Sequence, residues 1–275
     1  EAYNNLGNVL IEMGKYEQAM TSCKKALEIK PDYAEAYNNI GNILKDLHKY
    51  DGAINNHQKA LKIKPDYAEI YNNLGVTFKN LDKHEEAITS YNRALLLNPD
   101  VAEAYTNLGN VLRDLSKDKE TIYNYNKALK LKPYLAEAHN NLGNVQQDLG
   151  KHEAAITSYR KAINLRPDYS EAYNNYGNVF RDLNKHGDAI TNYNKALKVR
   201  PHYAGALKNL GVILTSLRAQ SFNKRLAVNF LDILNFGSII RPNNIVDTVI
   251  VLLKHHDALK EAIRKNQRNQ LKEAI

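Results

Sequence analysis

The sequence is poor in several features that define other protein classes. It has one cysteine, Cys23, two methionines and no tryptophan among 275 residues, so no disulfide can form within the chain. Its longest nearly apolar stretch, Ile245 to Leu253, contains Asp247 and is far shorter than the roughly 20 residues of a membrane-spanning helix. No basic and apolar leader is visible, and the chain starts at Glu1 inside a repeating pattern. We expect a cytoplasmic protein that does not engage a membrane and is a piece of a longer chain.

The charge is nearly balanced over most of the chain. Lys and Arg number 38 against 30 Asp and Glu. Residues 218–275 hold 10 of the basic residues and 5 of the acidic ones. Elsewhere basic and acidic residues alternate, which is typical of a solvated surface, and nucleic-acid binders instead concentrate basic charge beside aromatic platforms. We therefore predict no nucleic-acid partner.

A 34-residue repeat dominates the sequence. Prolines recur at this interval from Pro31 to Pro201, and glycines do so from Gly7 to Gly211. In each unit, apolar residues follow helical spacing in two segments of about fourteen residues. A turn position between the segments holds residues that mostly tolerate a left-handed backbone, namely Gly14, His48, Asp82, Ser116, Gly150 and Asn184. Such helix pairs cannot bury their apolar faces alone, so the pattern predicts an all-α stack of repeats.

One position of the second helix carries the largest recurrent side chains. Its occupants are Cys23, His57, Tyr91, Tyr125, Tyr159 and Tyr193 in successive units. We interpret the tyrosines as packing knobs between helices. Because Cys23 shares their position, we predict that it is a buried core thiol without reactivity.

These residues resemble the tetratricopeptide repeat. The 34-residue period, the Tyr-x-x-Leu-Gly of the first helix, the Ala and Tyr-x-x-Ala-Leu of the second helix and the closing Pro match that family over residues 1–203. The resemblance covers six units and the first helix of a seventh, from Ala204 to about Leu217. It implies an α-solenoid, a right-handed superhelix of helix–turn–helix repeats whose first helices line a concave groove. Thr121, His139 and Gln146 depart from the pattern, and we expect them to change local packing without affecting the fold.

The repeat disappears after Leu217. We expect residues 1–217 to form the solenoid and residues 218–275 to form a C-terminal helical cap or a linker to a missing domain. An apolar stripe with helical spacing runs from Phe222 to Leu234, and it would cover the exposed face of the last repeat.

No group of residues has the spacing of a catalytic or metal site. His84, His152 and His186 lie one repeat apart on an outer edge, and the adjacent His255 and His256 would point in different directions on a helix. We predict no catalytic residue, no metal and no cofactor, and a chain that is not itself an enzyme.

The candidate binding residues are asparagines of the first helices. The first series occupies one position in all seven units: Asn5, Asn39, Asn73, Asn107, Asn141, Asn175 and Asn209. The second series lies three residues later in five units: Asn8, Asn42, Asn110, Asn144 and Asn178. Asparagine is a mediocre helix former, so its recurrence indicates a use for the amide. A spacing of three places both series on one helix face, where amides can pair with the N–H and C=O of an extended peptide. Alternatively, these amides bond one another or the backbone of the preceding unit.

The asparagine ladder predicts a protein-interaction scaffold that binds an extended peptide in the concave groove. Similar ladders line the repeat arm of protein O-linked N-acetylglucosamine transferases. The resemblance thus implies an alternative, the substrate-recruiting arm of a larger glycosyl-, methyl- or sulfotransferase. The basic clamp of chaperone-binding members is replaced here by Glu35, Asn38 and Glu69, so chaperone tails are not expected to bind there. Self-association through the repeat ends is a further alternative.

Overall fold

The structure, a computed structural model, describes residues 1–217, which form helices joined by short turns without a strand among them. The helices are α1 Ala2–Glu12, α2 Tyr16–Ile29, α3 Ala34–Asp46, α4 Tyr50–Ile63, α5 Ala68–Asn80, α6 His84–Leu97, α7 Ala102–Asp114, α8 Asp118–Leu131, α9 Ala136–Asp148, α10 His152–Leu165, α11 Ser170–Asp182, α12 His186–Val199 and α13 Ala204–Leu217. None of these helices has the length and hydrophobicity to cross a membrane. The predicted cap of residues 218–275 lies outside the described residues.

The chain divides into two compact units. Unit 1 is Glu1–Tyr134 and contains α1 to α8, and unit 2 is Leu135–Ile275, whose described part contains α9 to α13. In both units odd-numbered helices are the first helices of a repeat and even-numbered helices are the second. This alternation of helix pairs confirms the all-α repeat architecture.

The turns inside each repeat depend on one left-handed residue. The φ angles are +69° at Gly14 and Gly150, and they lie between 55° and 58° at the four turn residues that are not glycine. These four are His48, Asp82, Ser116 and Asn184. A left-handed residue ends the first helix and redirects the chain, which confirms the predicted turn position. The second helix ends differently, because the residue before each proline adopts an extended conformation, as at Lys30 before Pro31.

First helices lie on the inner side of unit 1. Each first helix packs against the second helix of its own repeat and against that of the preceding repeat. Consecutive first helices also contact one another, as α1 does α3, α3 does α5 and α5 does α7, whereas no two second helices of this unit come as close. The stack therefore curves with α1, α3, α5 and α7 on its concave side.

Glycine and an aromatic ring set the distance between the two helices of a repeat. A Cβ atom on Gly109 would lie 2.7 Å from Cε1 of Tyr125, and one on Gly75 would lie 2.6 Å from Cε1 of Tyr91. The rings of Tyr91, Tyr125, Tyr159 and Tyr193 are fully buried. In the first repeat the equivalent contact is between Gly7 and the buried Cys23. Burial raises the pKa of Cys23 to about 11, as expected for an unreactive core thiol.

We predict opposite effects of alanine at two helical glycines. Gly109→Ala should destabilise the fold by about 1–3 kcal/mol, because the added methyl group meets the ring of Tyr125. Gly187→Ala should be neutral or stabilising by up to about 1 kcal/mol, because its Cβ has no neighbouring heavy atom within 4 Å. Urea denaturation followed by circular dichroism measures both, and equal effects would contradict the packing role of Gly109.

His57 occupies the aromatic position of the second repeat. Its ring lies against Gly41 and is fully buried, and neither ring nitrogen has a hydrogen-bond partner. Burial, assisted by the positive charge of Lys45, lowers the pKa of His57 from 6.5 to about 3. The folded protein therefore keeps this imidazole neutral at pH values where the unfolded chain protonates it.

We predict that His57 makes the fold sensitive to acid. As the pH falls from about 6.5 toward about 3, the unfolded state gains a proton that the folded state does not bind. The free energy of unfolding should then decrease by up to about 1.4 kcal/mol per pH unit from this residue alone. His57→Tyr introduces the residue found at this position in the third to sixth repeats and should remove that component. Urea denaturation at pH 7.5, 5.5 and 4.5 compares it with the exposed control His202→Tyr, and an unchanged pH dependence in His57→Tyr would refute the prediction.

Candidate functional site

A groove borders the first helices of unit 1. It encloses a cavity of about 900 Å³. Asparagines of both predicted series line the cavity, together with two tyrosines and several carboxylates. The asparagines of these series are Asn5, Asn8, Asn39 and Asn42. The structure thus places the predicted residues of two consecutive first helices in one concave surface.

The first series bonds to the preceding repeat. In unit 1 the Nδ2 atom of Asn39 donates to Oδ1 of Asn4 at 2.8 Å, Asn73 donates to Asn38 at 3.1 Å, and Asn107 donates to Asn72 at 3.2 Å. In unit 2 Asn175 donates to Asn140 at 3.2 Å and Asn209 donates to Asn174 at 2.9 Å. Each of these side chains therefore donates an N–H group to another asparagine, as the alternative for the amides predicts.

The acceptors form a third series of asparagines, which sequence reasoning missed. They immediately precede the first series in five repeats, with Thr106 and Lys208 at this position in the other two, and they are almost fully buried, as Asn4 is at 4% exposure. Their signal in the sequence is the Asn-Asn doublet, seen at Asn38 and Asn39 and again in other units. Adjacent helical residues point in different directions, so one member of the doublet donates to the preceding repeat while the other accepts from the following repeat. The bond across the boundary uses one of the donor amide's two N–H groups, and that amide's carbonyl oxygen takes no part in it.

The second series accepts hydrogen bonds from the buried tyrosines. The hydroxyl of Tyr125 donates to Oδ1 of Asn110 at 2.7 Å, that of Tyr159 donates to Asn144 at 2.7 Å, and that of Tyr193 donates to Asn178 at 2.8 Å. In unit 2 the same Oδ1 atoms also accept from the first series, Asn144 from Asn175 at 3.0 Å and Asn178 from Asn209 at 2.9 Å. These bonds join the two series into one network in that unit.

The tyrosine–asparagine pair is broken in three repeats, and in the first of them Cys23 occupies the tyrosine position opposite Asn8. Val76 occupies the asparagine position opposite Tyr91, whose buried hydroxyl has no hydrogen-bond partner. His57 occupies the tyrosine position opposite Asn42, whose buried Oδ1 atom also has none. Asn42 is consequently not held by the bond that fixes its counterparts Asn110 and Asn144.

The groove of unit 1 is predominantly acidic. Glu1, Glu12, Glu35 and Glu69 line it, against Lys30 as the basic side chain. Burial raises the pKa of Tyr33 and of Tyr67, and nearby carboxylates add to the effect, chiefly Glu35 at Tyr33 and Glu69 at Tyr67. Both tyrosines therefore remain neutral hydrogen-bonding groups in a negative field. Within residues 1–217, no three histidine, cysteine, aspartate or glutamate side chains gather as metal ligands would.

We predict different costs for removing two buried tyrosine hydroxyls. Tyr125→Phe should destabilise by about 1–2 kcal/mol, because it deletes the bond to Oδ1 of Asn110. Tyr91→Phe should be neutral or stabilising, because the unpaired hydroxyl of Tyr91 is already costly to bury. The free energies of unfolding in urea provide the comparison. A larger loss in Tyr91→Phe than in Tyr125→Phe would rule out this assignment of the hydrogen bonds.

Comparisons with known proteins agree with this architecture. The family model described as TPR repeat matches residues 7–47, 41–82 and 109–150. Two models described as tetratricopeptide repeat match residues 134–202 and residues 68–101. Together these matches cover more than half of the chain. A search among curated proteins found no match.

Solved structures show the same fold. The chain is similar to the MamA protein at 29% identity and a TM-score of 0.54, over 62% of this chain and 93% of that one. It is similar to YrrB, described as a TPR protein with an unusual peptide-binding site, at 22% identity and a TM-score of 0.55, over 68% and 96%. PilF of Pseudomonas aeruginosa matches at 20% identity and a TM-score of 0.68, over 75% and 94%. The repeat matches and the helix pairs establish that this chain belongs to the tetratricopeptide repeat family.

Proposed function

We propose that this chain is a protein-interaction scaffold that holds an extended segment of another protein against the first helices of unit 1. The observation that carries the proposal is the groove of about 900 Å³ lined by side-chain amides from consecutive first helices. Amides offer both a donor and an acceptor, so they pair with peptide backbone irrespective of its side chains. The bound segment would be recognised through its backbone, and side chains beside the amides would add a preference for its sequence.

The spacing of the helices suits an extended peptide. Packed helices lie about 8–10 Å apart, and an extended chain rises about 3.3 Å per residue. Amides one repeat apart would therefore meet about every third peptide residue. Because α1 and α3 lie side by side in unit 1, Asn8 and Asn42 are placed to contact one segment.

The two asparagine series have different parts in this proposal. The first series is anchored across the repeat boundary, as Asn39 is to Asn4, so it chiefly positions neighbouring first helices. Asn8 is exposed, and Asn42 lacks the tyrosine bond of its counterparts. Because the Oδ1 atom of Asn42 is buried, this residue would bind a peptide carbonyl through its N–H groups. Among the candidate binding residues of the groove, Asn8 and Asn42 are therefore the least engaged in hydrogen bonds within the fold. In unit 2, Oδ1 of Asn144 already accepts two hydrogen bonds, which leaves its N–H groups for peptide carbonyls.

The known relatives support an interaction role at the level of the fold. YrrB shares the helix-pair architecture at 22% identity and is described as having a peptide-binding site. That description concerns YrrB, and the likeness between the two chains is one of fold. The residues proposed to bind here are assigned from this chain's own groove.

The proposal predicts that amide removal in the groove weakens peptide binding. Decapeptides selected from a random display library on the full chain would be titrated by fluorescence anisotropy. The double variant Asn8→Ala, Asn42→Ala should bind roughly five-fold more weakly or worse, because each lost hydrogen bond contributes about 0.5–1.5 kcal/mol. Circular dichroism should show an unchanged helical content, since neither amide is held by a second-helix tyrosine.

A matched control is the double variant Asn55→Ala, Asn92→Ala, which removes two exposed amides from second helices α4 and α6. Its affinity should equal that of the unaltered chain. Equal weakening in both double variants, or none in either, would show that the groove amides do not bind the peptide.

A further inference from the structure

The residue that follows each second helix is cationic in all repeats but one. This position holds Lys30, Lys64, Asn98, Lys132, Arg166 and Arg200. It directly precedes the proline that separates one repeat from the next, so its side chain lies at the edge of the first-helix surface. Asn98, between the third and fourth repeats, is the exception.

Two lysines at this position neutralise a carboxylate of the first helix. The Nζ atom of Lys64 lies 3.5 Å from Oε1 of Glu35, and that of Lys132 lies 3.2 Å from Oε1 of Glu103. The partners are 29 residues apart in both pairs, which places them at equivalent points of the repeat. Lys64 also lies over the ring of Tyr67, 4.2 Å from its centroid. At this edge Lys64 is thus held between a carboxylate and an aromatic ring.

Glu69 is the equivalent carboxylate opposite Asn98, again 29 residues away. Asn98 carries no charge, and its Oδ1 atom accepts a hydrogen bond from the backbone N–H of Asp100 at 3.0 Å. The Asn98 side chain is therefore held by its own turn. Among the ion pairs of residues 1–217, none includes Glu69. The third repeat lacks the internal cation that its neighbours have.

Open space lies where the missing cation would be. A cavity of about 620 Å³ is lined by both Glu69 and Asn98. Val101 stands there in place of the tyrosine found at Tyr33 and Tyr67, so the wall at this junction is shorter. Glu69 and Tyr67 also line the groove of about 900 Å³. The open space is therefore bordered by residues of the groove itself.

The charge of this cavity favours a cation. Asp66, Glu69 and Glu103 line it together with Lys64. Glu103 is paired with Lys132 and Lys64 is paired with Glu35, so the carboxylates of Asp66 and Glu69 give the cavity its negative charge. An acidic peptide side chain would meet repulsion here, whereas a lysine or arginine would gain the pairing that Lys64 and Lys132 make within the chain.

We propose that the segment bound in the groove of unit 1 carries a lysine or arginine whose cation occupies the place beside Glu69. This inference rests on the proposed function and adds to it the chemistry of the partner. Backbone pairing with the amides binds the segment, and Glu69 fixes its register by accepting one positive charge. The partner is accordingly an extended protein segment with a basic residue, not an acidic tail.

The test uses the same random decapeptide library on the full chain and on two variants. Glu69→Gln removes the charge at nearly constant shape, and Asn98→Lys supplies the internal cation of the neighbouring repeats. Glu85→Gln, at an exposed position of α6, makes the same charge change away from the groove. Peptides selected on the unaltered chain should be enriched in Lys and Arg, and this enrichment should persist in Glu85→Gln and disappear in the other two variants.

Titration of a selected peptide and its Lys→Gln counterpart gives the energetic comparison. On the unaltered chain the Lys peptide should bind roughly two- to five-fold more tightly, the range of a partly exposed ion pair. The preference should fall toward unity in Glu69→Gln, in Asn98→Lys and at high salt. Peptides selected without a basic preference, or with one that persists in Glu69→Gln, would overturn this inference and leave the peptide groove standing. Failure of the unaltered chain to select any peptide would overturn both proposals.

Discussion

The close approach of the two helices in each repeat is the constraint on which the rest of the structure depends. The first helix presents a glycine, and the second helix fills the resulting space with a fully buried side chain, such as Tyr125 against Gly109. Because the ring packs against the glycine, its hydroxyl reaches the asparagine one position beyond it, as Tyr125 reaches Asn110. Interior packing therefore orients a side chain of the groove. The same contact tolerates Cys23 and His57, at the expense of the hydrogen bond that tyrosine makes.

Asparagine holds neighbouring repeats together in this molecule, and in the proposed function it also contacts the partner. In the doublets at residues 38–39, 72–73 and 174–175, one amide accepts a hydrogen bond from the following repeat and the other donates to the preceding one. A buried amide without partners would destabilise the stack, so these bonds account for much of the recurrence that the sequence shows. The proposed peptide contacts use the amides that the network leaves least engaged, Asn8 and Asn42. The groove and the interface between repeats are consequently built from the same residue type at neighbouring positions.

Much of the fold could be predicted because its signals are local and repeated. The left-handed turn residues, the helix-ending prolines, the buried tyrosines and the burial of Cys23 were all read from their positions in the repeat, and the structure confirms them. The role of the first asparagine series could not be settled in the same way. Its sequence position fits both a free groove amide and a bond between repeats, and the choice depends on a partner 35 residues away. The predicted cap of residues 218–275, self-association and the narrower resemblance to a transferase arm stay predictions.

The sequence by itself determined the repeat length, the pair of helices in each unit and the family, because hydrophobic spacing, glycine and proline act within a few residues of where they stand. Only the tertiary structure decided which amides are engaged and which remain available. It also showed that Asn98 leaves Glu69 without the cation that Lys64 and Lys132 give its counterparts. Those outcomes depend on distances between residues of different helices. The stacking of repeats sets these distances, so they cannot be read from any single segment of the sequence.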